Sequence, residues 1–232
     1  MTRVSTVTGR LHVPVPRHRS ITLAFLKIIE NLRMSLYGIA HTVRDRMGWL
    51  WNLIEGFNGW LFALRYGKRL KRFAFTTIPD GYEAVPLRDV PTEMLVAFFN
   101  HQPEEAYTFF KPHGFDAKSI KKLQKNRAFL AYVLRDKGTG QIAGYCFNRC
   151  FFHGQGFRGR MVDMDYRGKG LGTAMNKMLN EVGFGIGLRL FETVSKDNIA
   201  SYKSALSASN VKVLKELPHN ELYLEIEKPS VR

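Results

Sequence analysis

The most chemically informative stretch of the sequence is MVDMDYRGKGLGTAMNKML, residues 161–179. A short apolar run is followed by Asp163, Arg167 and Lys169, and by glycines at positions 168, 170 and 172. A helix-like pattern begins after these glycines. Because the first N–H groups of a helix lack intrahelical partners and the helix dipole adds positive potential there, this order predicts a site for a phosphate-bearing ligand. A structural turn with a basic rim is the alternative interpretation.

Two better-known phosphate-binding motifs do not fit the spacing. A Walker loop requires G-x-x-x-x-G-K-S/T, and no glycine at that spacing is followed by Lys and then Ser or Thr. A dinucleotide-binding fold requires G-x-G-x-x-G after the first strand of a βαβ unit. Here single glycines alternate with other residues, and the preceding runs have the pattern of antiparallel strands. The sequence therefore favours a different phosphate-binding fold.

Short apolar runs and helical patterns alternate around this turn. Strands are predicted at 82–87, 128–134, 141–152, 157–164, 189–194, 211–217 and 221–227. Helices are predicted at 92–101 and 117–126, at about 170–183, and from about Asn198 onward. The order is thus a strand, two helices, three strands, a helix, a strand, a helix and two strands.

This order of elements, together with the glycine turn, resembles the GNAT superfamily of acyl-CoA-dependent N-acyltransferases. The family signature reads R/Q-x-x-G-x-G/A, which Arg167, Gly170 and Gly172 match, and SKDNIAS (195–201) resembles the block in which an Asn opens the next helix. The resemblance covers residues 82–228 and implies an α+β fold with a mixed, mostly antiparallel central sheet flanked by helices. FFKPHGFD and AGYCF resemble, less specifically, members that acylate amino sugars of surface polysaccharides.

The resemblance implies acetyl-CoA as a co-substrate, with no tightly bound cofactor. The strand that ends near Val162 would splay from its neighbour, so that the pantetheine arm pairs with Val162, Asp163 and Met164, while Asn198 bonds the pantetheine. The pyrophosphate would be held by the segment from Gly170 to Met175. The whole CoA-binding turn would comprise Arg167, Gly168, Lys169, Gly170, Leu171, Gly172, Thr173, Ala174 and Met175.

Acyl transfer from a thioester to an amine needs a group that removes the amine proton. Relatives commonly place a Tyr acid seven residues after the Asn, where this chain has Ala205. His113 is a candidate base because unperturbed imidazole titrates near 6.5. Glu192 is a second candidate base, although it lies one residue from the family's position and needs a bulge to face the site. A loop histidine bonded to the backbone and a rim carboxylate are the alternative interpretations.

The N-terminal region is strongly basic. The 232 residues carry a net charge of +15, and residues 1–72 hold 13 Lys and Arg against 3 Asp and Glu. Residues 1–19 are predicted to be a flexible tail, and residues 20–72 an amphipathic helical hairpin that extends the catalytic fold. The second helix would have an apolar stripe of Trp49, Leu50, Leu53, Ile54, Phe57, Trp60, Leu61 and Leu64. Peripheral membrane docking, packing within the protein, homodimerisation and a targeting role are the alternatives for this region.

Cys146 and Cys150 lie four residues apart in a predicted strand, hence about 13 Å apart, which is too far for a disulfide. This favours a reducing compartment, and a cysteine pair without a nearby His predicts no metal site. No apolar run approaches the roughly 18–20 residues of a spanning helix. We therefore expect a cytoplasmic protein, with peripheral attachment to the inner face of the membrane as an open alternative, and no nucleic-acid partner.

The leading hypothesis is transfer of an acetyl group from acetyl-CoA to a primary amine. An amino sugar of a surface polysaccharide or of a lipid-linked precursor is the favoured acceptor. An N-acetyltransferase acting on proteins or polyamines is a second hypothesis, although such acceptors would favour an acidic cleft. A non-catalytic CoA-binding protein is a third, because the usual Tyr is missing.

Overall fold

A seven-stranded sheet with helices on both faces forms the body of the protein. The computed structural model describes residues 48–228, and those from Ile54 onward belong to one compact unit. The helices are α1 (Gly48–Lys71), α2 (Thr92–His101), α3 (Ala117–Lys125), α4 (Leu171–Ile186) and α5 (Ile199–Ala208). The strands are β1 (Tyr82–Pro86), β2 (Phe129–Asp136), β3 (Ile142–Phe151), β4 (Gln155–Val162), β5 (Arg189–Ser195), β6 (Asn210–Leu217) and β7 (Glu221–Glu227).

The sheet is mixed and mostly antiparallel. Its strand order is β1-β2-β3-β4-β5-β7-β6, and every neighbouring pair is antiparallel except β4 and β5, which run parallel. The parallel pair requires a crossover connection, and α4 supplies it. The predicted α+β fold with flanking helices is therefore confirmed, and the predicted order of strands and helices from residue 82 onward is the order observed.

Apolar side chains cover the two faces of the sheet, since successive residues of a strand point to opposite sides. On one face, Leu95 of α2 and Ile120 of α3 are fully buried. On the other face, Val182 of α4 and Phe62 of α1 are fully buried. The two layers hold β4 and β5 in place, and the separation of these two strands creates the candidate site.

Helix α1 is attached to the sheet by a partly polar face. The Nδ2 atom of Asn58 donates to the carbonyl oxygen of Cys150 at 3.0 Å, and its Oδ1 accepts from the N–H of Phe152 at 3.0 Å. One turn further along, Phe62 points in the same direction and is fully buried. A side-chain amide that pairs with the backbone at the end of β3 therefore fixes the rotation of α1.

The predicted apolar stripe of this helix points away from the sheet. Ile54, Phe57, Trp60 and Leu64 are 48%, 61%, 55% and 72% exposed. Packing of these four residues on the sheet domain, one of the predicted alternatives, is therefore wrong. The first helix of the predicted hairpin and the tail at residues 1–19 lie outside the described residues, so the hairpin itself stays a prediction.

Two further expectations concern the cysteines and the membrane. Cys146 and Cys150 are both buried and free, as predicted. Burial raises the pKa of Cys146 to about 12, so this thiol stays protonated.

Among residues 48–228, none of the helices combines the length and the apolar character that crossing a bilayer requires.

Candidate functional site

The site begins where β4 and β5 separate. Their parallel pairing extends from Gln155–Arg189 to Phe157–Phe191 and then stops. Each strand continues beyond this point, β4 to Val162 and β5 to Ser195. The result is a gap between two strands whose backbones no longer pair with each other.

Backbone groups of β4 face this gap. The N–H of Asp163 donates to the carbonyl oxygen of Ala143 on β3 at 3.0 Å. Because hydrogen-bonding direction alternates along an antiparallel strand, the N–H and C=O groups of Arg160 and Val162 turn away from β3 and towards the gap. A ligand lying there could therefore extend the sheet through main-chain hydrogen bonds.

The glycine turn follows directly, and it leads to the N-terminus of α4. Gly168 and Gly170 have φ values of +76° and +75°, in the left-handed region that favours glycine. A Cβ built at either position would meet no atom within 4 Å, so both face open space. No side chain caps α4 at Gly170, and the first N–H groups of the helix therefore remain available to an anion.

The gap and the turn lie in one cleft of about 1220 Å³. The predicted CoA-site residues that line it are Val162, Arg167, Gly168, Gly170, Leu171, Gly172, Thr173 and Asn198. Asn198 also caps α5, since its Oδ1 accepts from the N–H of Ser201 at 3.1 Å. The structure thus brings together most of the positions that the resemblance implied.

Asp163 and Met164 are placed differently from the expectation. The N–H of Asp163 already pairs with β3, and its carboxylate accepts from the N–H of Asp165 at 3.0 Å. The N–H of Met164 donates to Oε1 of Gln102 at 3.2 Å. Since both N–H groups have partners within the protein, the backbone that faces the gap ends at Val162 rather than at Met164.

Three other predicted residues also lie outside the cleft lining. The Lys169 ammonium lies over the ring of Tyr166, 4.5 Å from its centroid. The side chain of Met175 is fully buried in the core. Ala174 is partly buried in the first turn of α4. Of the two cations of the turn, Arg167 lines the cleft and Lys169 does not.

Glu192 is a buried carboxylate that bridges the separated strands. Its Oε2 accepts from Nε of Arg158 at 2.6 Å, and its Oε1 accepts from Nη1 of Arg160 at 2.8 Å. Burial alone would raise the pKa of Glu192, but attraction by the two guanidinium groups outweighs it and lowers that pKa. With both oxygens engaged and a lowered pKa, the geometry disfavours the predicted role of Glu192 as a proton acceptor.

Arg158, Arg160 and Glu192 form a cluster with a net charge of +1, because two guanidinium groups face one carboxylate. Nη1 of Arg158 donates to Oδ1 of Asn180 at 2.5 Å, but its buried Nη2 has no hydrogen-bond partner among the described residues. Nη2 of Arg160 donates to the carbonyl oxygen and hydroxyl of Ser201. Because the two guanidinium groups carry one charge more than Glu192, this part of the cleft has a positive potential that favours an anionic or carbonyl-bearing ligand.

His113 lies behind the cleft wall and does not line the cleft. Its Nε2 is 2.9 Å from the Tyr145 hydroxyl, and its Nδ1 is 2.9 Å from the carbonyl oxygen of Gly114. That carbonyl requires the proton on Nδ1, so Nε2 accepts from the tyrosine. Burial lowers the pKa of His113 from 6.5 to about 4. The imidazole is therefore neutral near pH 7, and its internal partners disfavour the predicted role as a base.

Several cleft residues were not among the predicted site residues. Helix α5 presents Ser201 and Ser204 to the cleft, whereas Ala205, at the position of the usual Tyr acid, is fully buried. The hairpin between β6 and β7 contributes His219 and Glu221. The sequence signal for this hairpin was PHNE (218–221), but nothing in the local pattern indicates that it meets β5 at the cleft.

Comparison with known proteins agrees with this geometry. Residues 93–205 match the model of the Acetyltransferase (GNAT) family. None of the curated proteins matches the chain. Among solved structures, the GNAT domain of S. lividans PAT is similar, with a TM-score of 0.55 and 14% identity over 62% of this chain and 89% of that chain.

Two further structures have the same fold. The ribosomal-protein-S5-alanine acetyltransferase from Vibrio fischeri has a TM-score of 0.54 and 15% identity, covering 68% of this chain and 96% of that chain. The yncA structure from Salmonella typhimurium, solved with its cofactor acetyl-CoA, has a TM-score of 0.51 and 14% identity, covering 66% of this chain and 96% of that chain. The described sheet domain therefore has the fold of the GNAT structures, and its residues 93–205 are similar to the GNAT acetyltransferase family.

Proposed function

We propose that this protein transfers the acetyl group of acetyl-CoA to a primary amine on an acceptor that also carries an anionic group. The observation that carries the proposal is the gap between β4 and β5 beside the uncapped N-terminus of α4. The gap offers main-chain groups to a pantetheine arm, and the helix N-terminus offers N–H groups to a pyrophosphate. Both features lie in a single cleft.

In this proposal, each part of the cleft has a distinct role. The backbone groups of Arg160 and Val162 orient the pantetheine amides, and Arg167 with the first N–H groups of α4 binds the pyrophosphate. The amine nitrogen forms the new C–N bond at the thioester carbonyl carbon. The C–S bond breaks, and the proton lost by the amine balances the thiolate that leaves. Because a thiolate leaves readily, the absence of Tyr at position 205 is compatible with turnover.

In this proposal, a group that lines the cleft accepts the proton lost by the amine. Glu105, His219 and Glu221 line it and can accept a proton directly or through water. His113 and Glu192, the candidates from the sequence, serve instead as a wall residue and a charge bridge in this proposal. His219 and Glu221 come from the β6–β7 hairpin, beside the end of β5, where an acceptor amine could approach the thioester.

The lining of the cleft favours an acceptor with an anionic group. Besides Arg158 and Arg160, the cations Lys111 and Arg149 line the cleft. Phe109, 51% exposed, adds an apolar surface on which a sugar ring could stack. An amino sugar attached to a phosphate or diphosphate, as in a lipid-linked precursor, combines these properties. Polyamines lack an anionic group, so they fit this cleft less well.

Calorimetric titration with acetyl-CoA, followed by thiol-release assays, tests the proposed function. The amines are glucosamine, its phosphate ester, spermidine and a short peptide with a free N-terminus. We expect acetyl-CoA to bind and the phosphate ester to give the fastest thiol release. Preferred turnover of spermidine or the peptide would favour the alternative acceptors. Binding without turnover of any amine would favour a non-catalytic CoA-binding protein, and no binding would contradict the proposal.

A further inference from the structure

The outward face of α1 is an exposed apolar surface that the cleft does not explain. We define the α1 apolar face as Ile54, Phe57, Trp60 and Leu64, which are exposed at helical spacing. Phe57 and Trp60 are stacked with their ring centroids 6.1 Å apart. None of the four lines the cleft. A contiguous exposed patch of this kind marks an interaction surface.

The opposite face of α1 is firmly attached, so the apolar face is held outward. Arg69 donates to the carbonyl oxygen of Ile186 at 2.7 Å, and Glu55 pairs with Lys122 of α3 at 2.6 Å. Together with Asn58 and the buried Phe62, these contacts extend over four turns of the helix. Rotation of α1 to bury the apolar face would break all of them.

The charge around the α1 apolar face is positive at both ends. Beyond Leu64, the exposed cations Lys68, Lys71 and Arg72 end the helix and its following turn. Near Ile54, Lys122 of the neighbouring helix α3 reaches Glu55, and the same helix carries the exposed Lys118, Lys121 and Lys125. The one acidic residue of α1, Glu55, is turned inward to its ion pair with Lys122. The apolar face is therefore bordered by cations with no acidic side chain of α1 among them.

We propose that the α1 apolar face docks onto an anionic lipid surface, with the lysines of α3 and the end of α1 contacting the headgroups. Tryptophan and phenylalanine suit the boundary between headgroups and acyl chains. A second copy of the protein would place the same cations opposite one another, and these would repel. Residues 20–47 are also net positive, with four Lys and Arg against two acidic residues. Charge complementarity thus favours an anionic lipid surface over a second copy of the protein and over residues 20–47.

Flotation of the full-length protein with vesicles tests the proposal. We expect the protein to float with phosphatidylcholine vesicles that contain phosphatidylglycerol, but not with pure phosphatidylcholine, and to be released by high salt. The triple variant Phe57→Ser/Trp60→Ser/Leu64→Ser should bind at least about tenfold more weakly, since it loses the apolar contact. Lys68→Glu/Lys71→Glu should also weaken binding, by about fivefold or more for each lysine.

Leu206→Ser is the matched control, because Leu206 is a leucine on α5 with 49% exposure and lies on a different helix. This variant should float like the wild type. Acetyl-CoA affinity, measured on every variant, reports whether the fold is intact. Unchanged flotation of a folded triple variant would overturn the proposal and assign any membrane binding to residues 1–47. Absence of flotation with either type of vesicle would overturn the proposal as well. Sedimentation equilibrium would then show whether a second copy covers the α1 apolar face.

Discussion

The Nε atom of Arg158 on β4 donates to Oε2 of Glu192 on β5 at 2.6 Å, at the point where the two strands stop pairing. A side-chain ion pair thus begins where the backbone ladder ends. Both side chains are almost completely buried. The separated strands therefore depend on this pair, together with Arg160, to stay at a fixed distance.

Replacing Glu192 by Gln should destabilise the protein. The change removes the negative charge and leaves two largely buried guanidinium groups without a counter-charge, which should lower the free energy of unfolding by about 3 kcal/mol. Urea denaturation at neutral pH measures this effect. Because the pKa of Glu192 lies below its ordinary value of 4.5, the stabilisation is present above that pH and is lost as the pH falls through the folded-state pKa.

Glu225→Gln is the control for this prediction. Glu225 pairs with Arg189, whose side chain is 64% exposed, so its loss should cost only about 0.5 kcal/mol. Equal unfolding curves for Glu192→Gln and Glu225→Gln would show that the buried bridge does not hold the strands.

Gly170→Asp should weaken acetyl-CoA binding by at least about tenfold, because it places a negative charge at the helix N-terminus proposed to bind the pyrophosphate. Calorimetric titration gives the affinity. Gly140→Asp is a matched control, since Gly140 also has a positive φ, +72°, and also faces open space, in the β2–β3 turn. Each substitution introduces backbone strain of about 1–2 kcal/mol, but only the first should change the affinity. A normal affinity in folded Gly170→Asp would place the binding site elsewhere.

His113 should make the stability of the protein depend on pH in mildly acidic solution. Burial lowers the pKa of His113 from 6.5 to about 4, so the unfolded chain binds the proton more readily than the folded protein does. The folded state therefore loses stability as the pH falls from 6.5 towards 4. Unfolding free energies at pH 7 and pH 4.5 should differ less in His113→Gln than in the wild type, by about 1–3 kcal/mol.

The same variant separates a structural role from a catalytic one. If His113 only supports the cleft wall, His113→Gln should retain the wild-type dependence of kcat/KM on pH. Loss of an ionisation from that profile, in a folded variant, would restore His113 as the base.

Lys111→Gln should reduce the preference for an anionic acceptor. The measurement is the ratio of kcat/KM for glucosamine phosphate to that for glucosamine, and we expect it to fall about fivefold because one charged contact is lost. Lys137→Gln is the control, since Lys137 is exposed in the β2–β3 turn and does not line the cleft. An unchanged ratio in Lys111→Gln would argue against charge recognition by Lys111, while thiol release itself would still report acetyl transfer.

Much of the fold and of the candidate site could be predicted from local patterns. The glycine turn is a local feature, because the positive φ values of Gly168 and Gly170 follow from the residue type and the helix after it. The strands β2 to β5 and β7 are local as well, since each one buries residues that its own sequence marks as apolar. For these elements, residue type and periodicity predict the structure with little help from distant contacts.

Other features depended on contacts between residues far apart in the chain. Periodicity correctly marks one side of α1 as apolar, but the hydrogen bonds from Asn58 to Cys150, 92 residues away, turn that side outward. Glu192 looks like a free carboxylate until β4 brings Arg158 to it. His113 looks like a free imidazole until Tyr145 pairs with its Nε2 and the surrounding side chains bury the ring. The orientation of α1, the protonation of His113 and the ion pairs of Glu192 are set by partners that only tertiary packing brings near. The sequence by itself therefore determined the elements and the glycine turn, and the tertiary structure decided which side chains face the cleft and which face of α1 meets the surroundings.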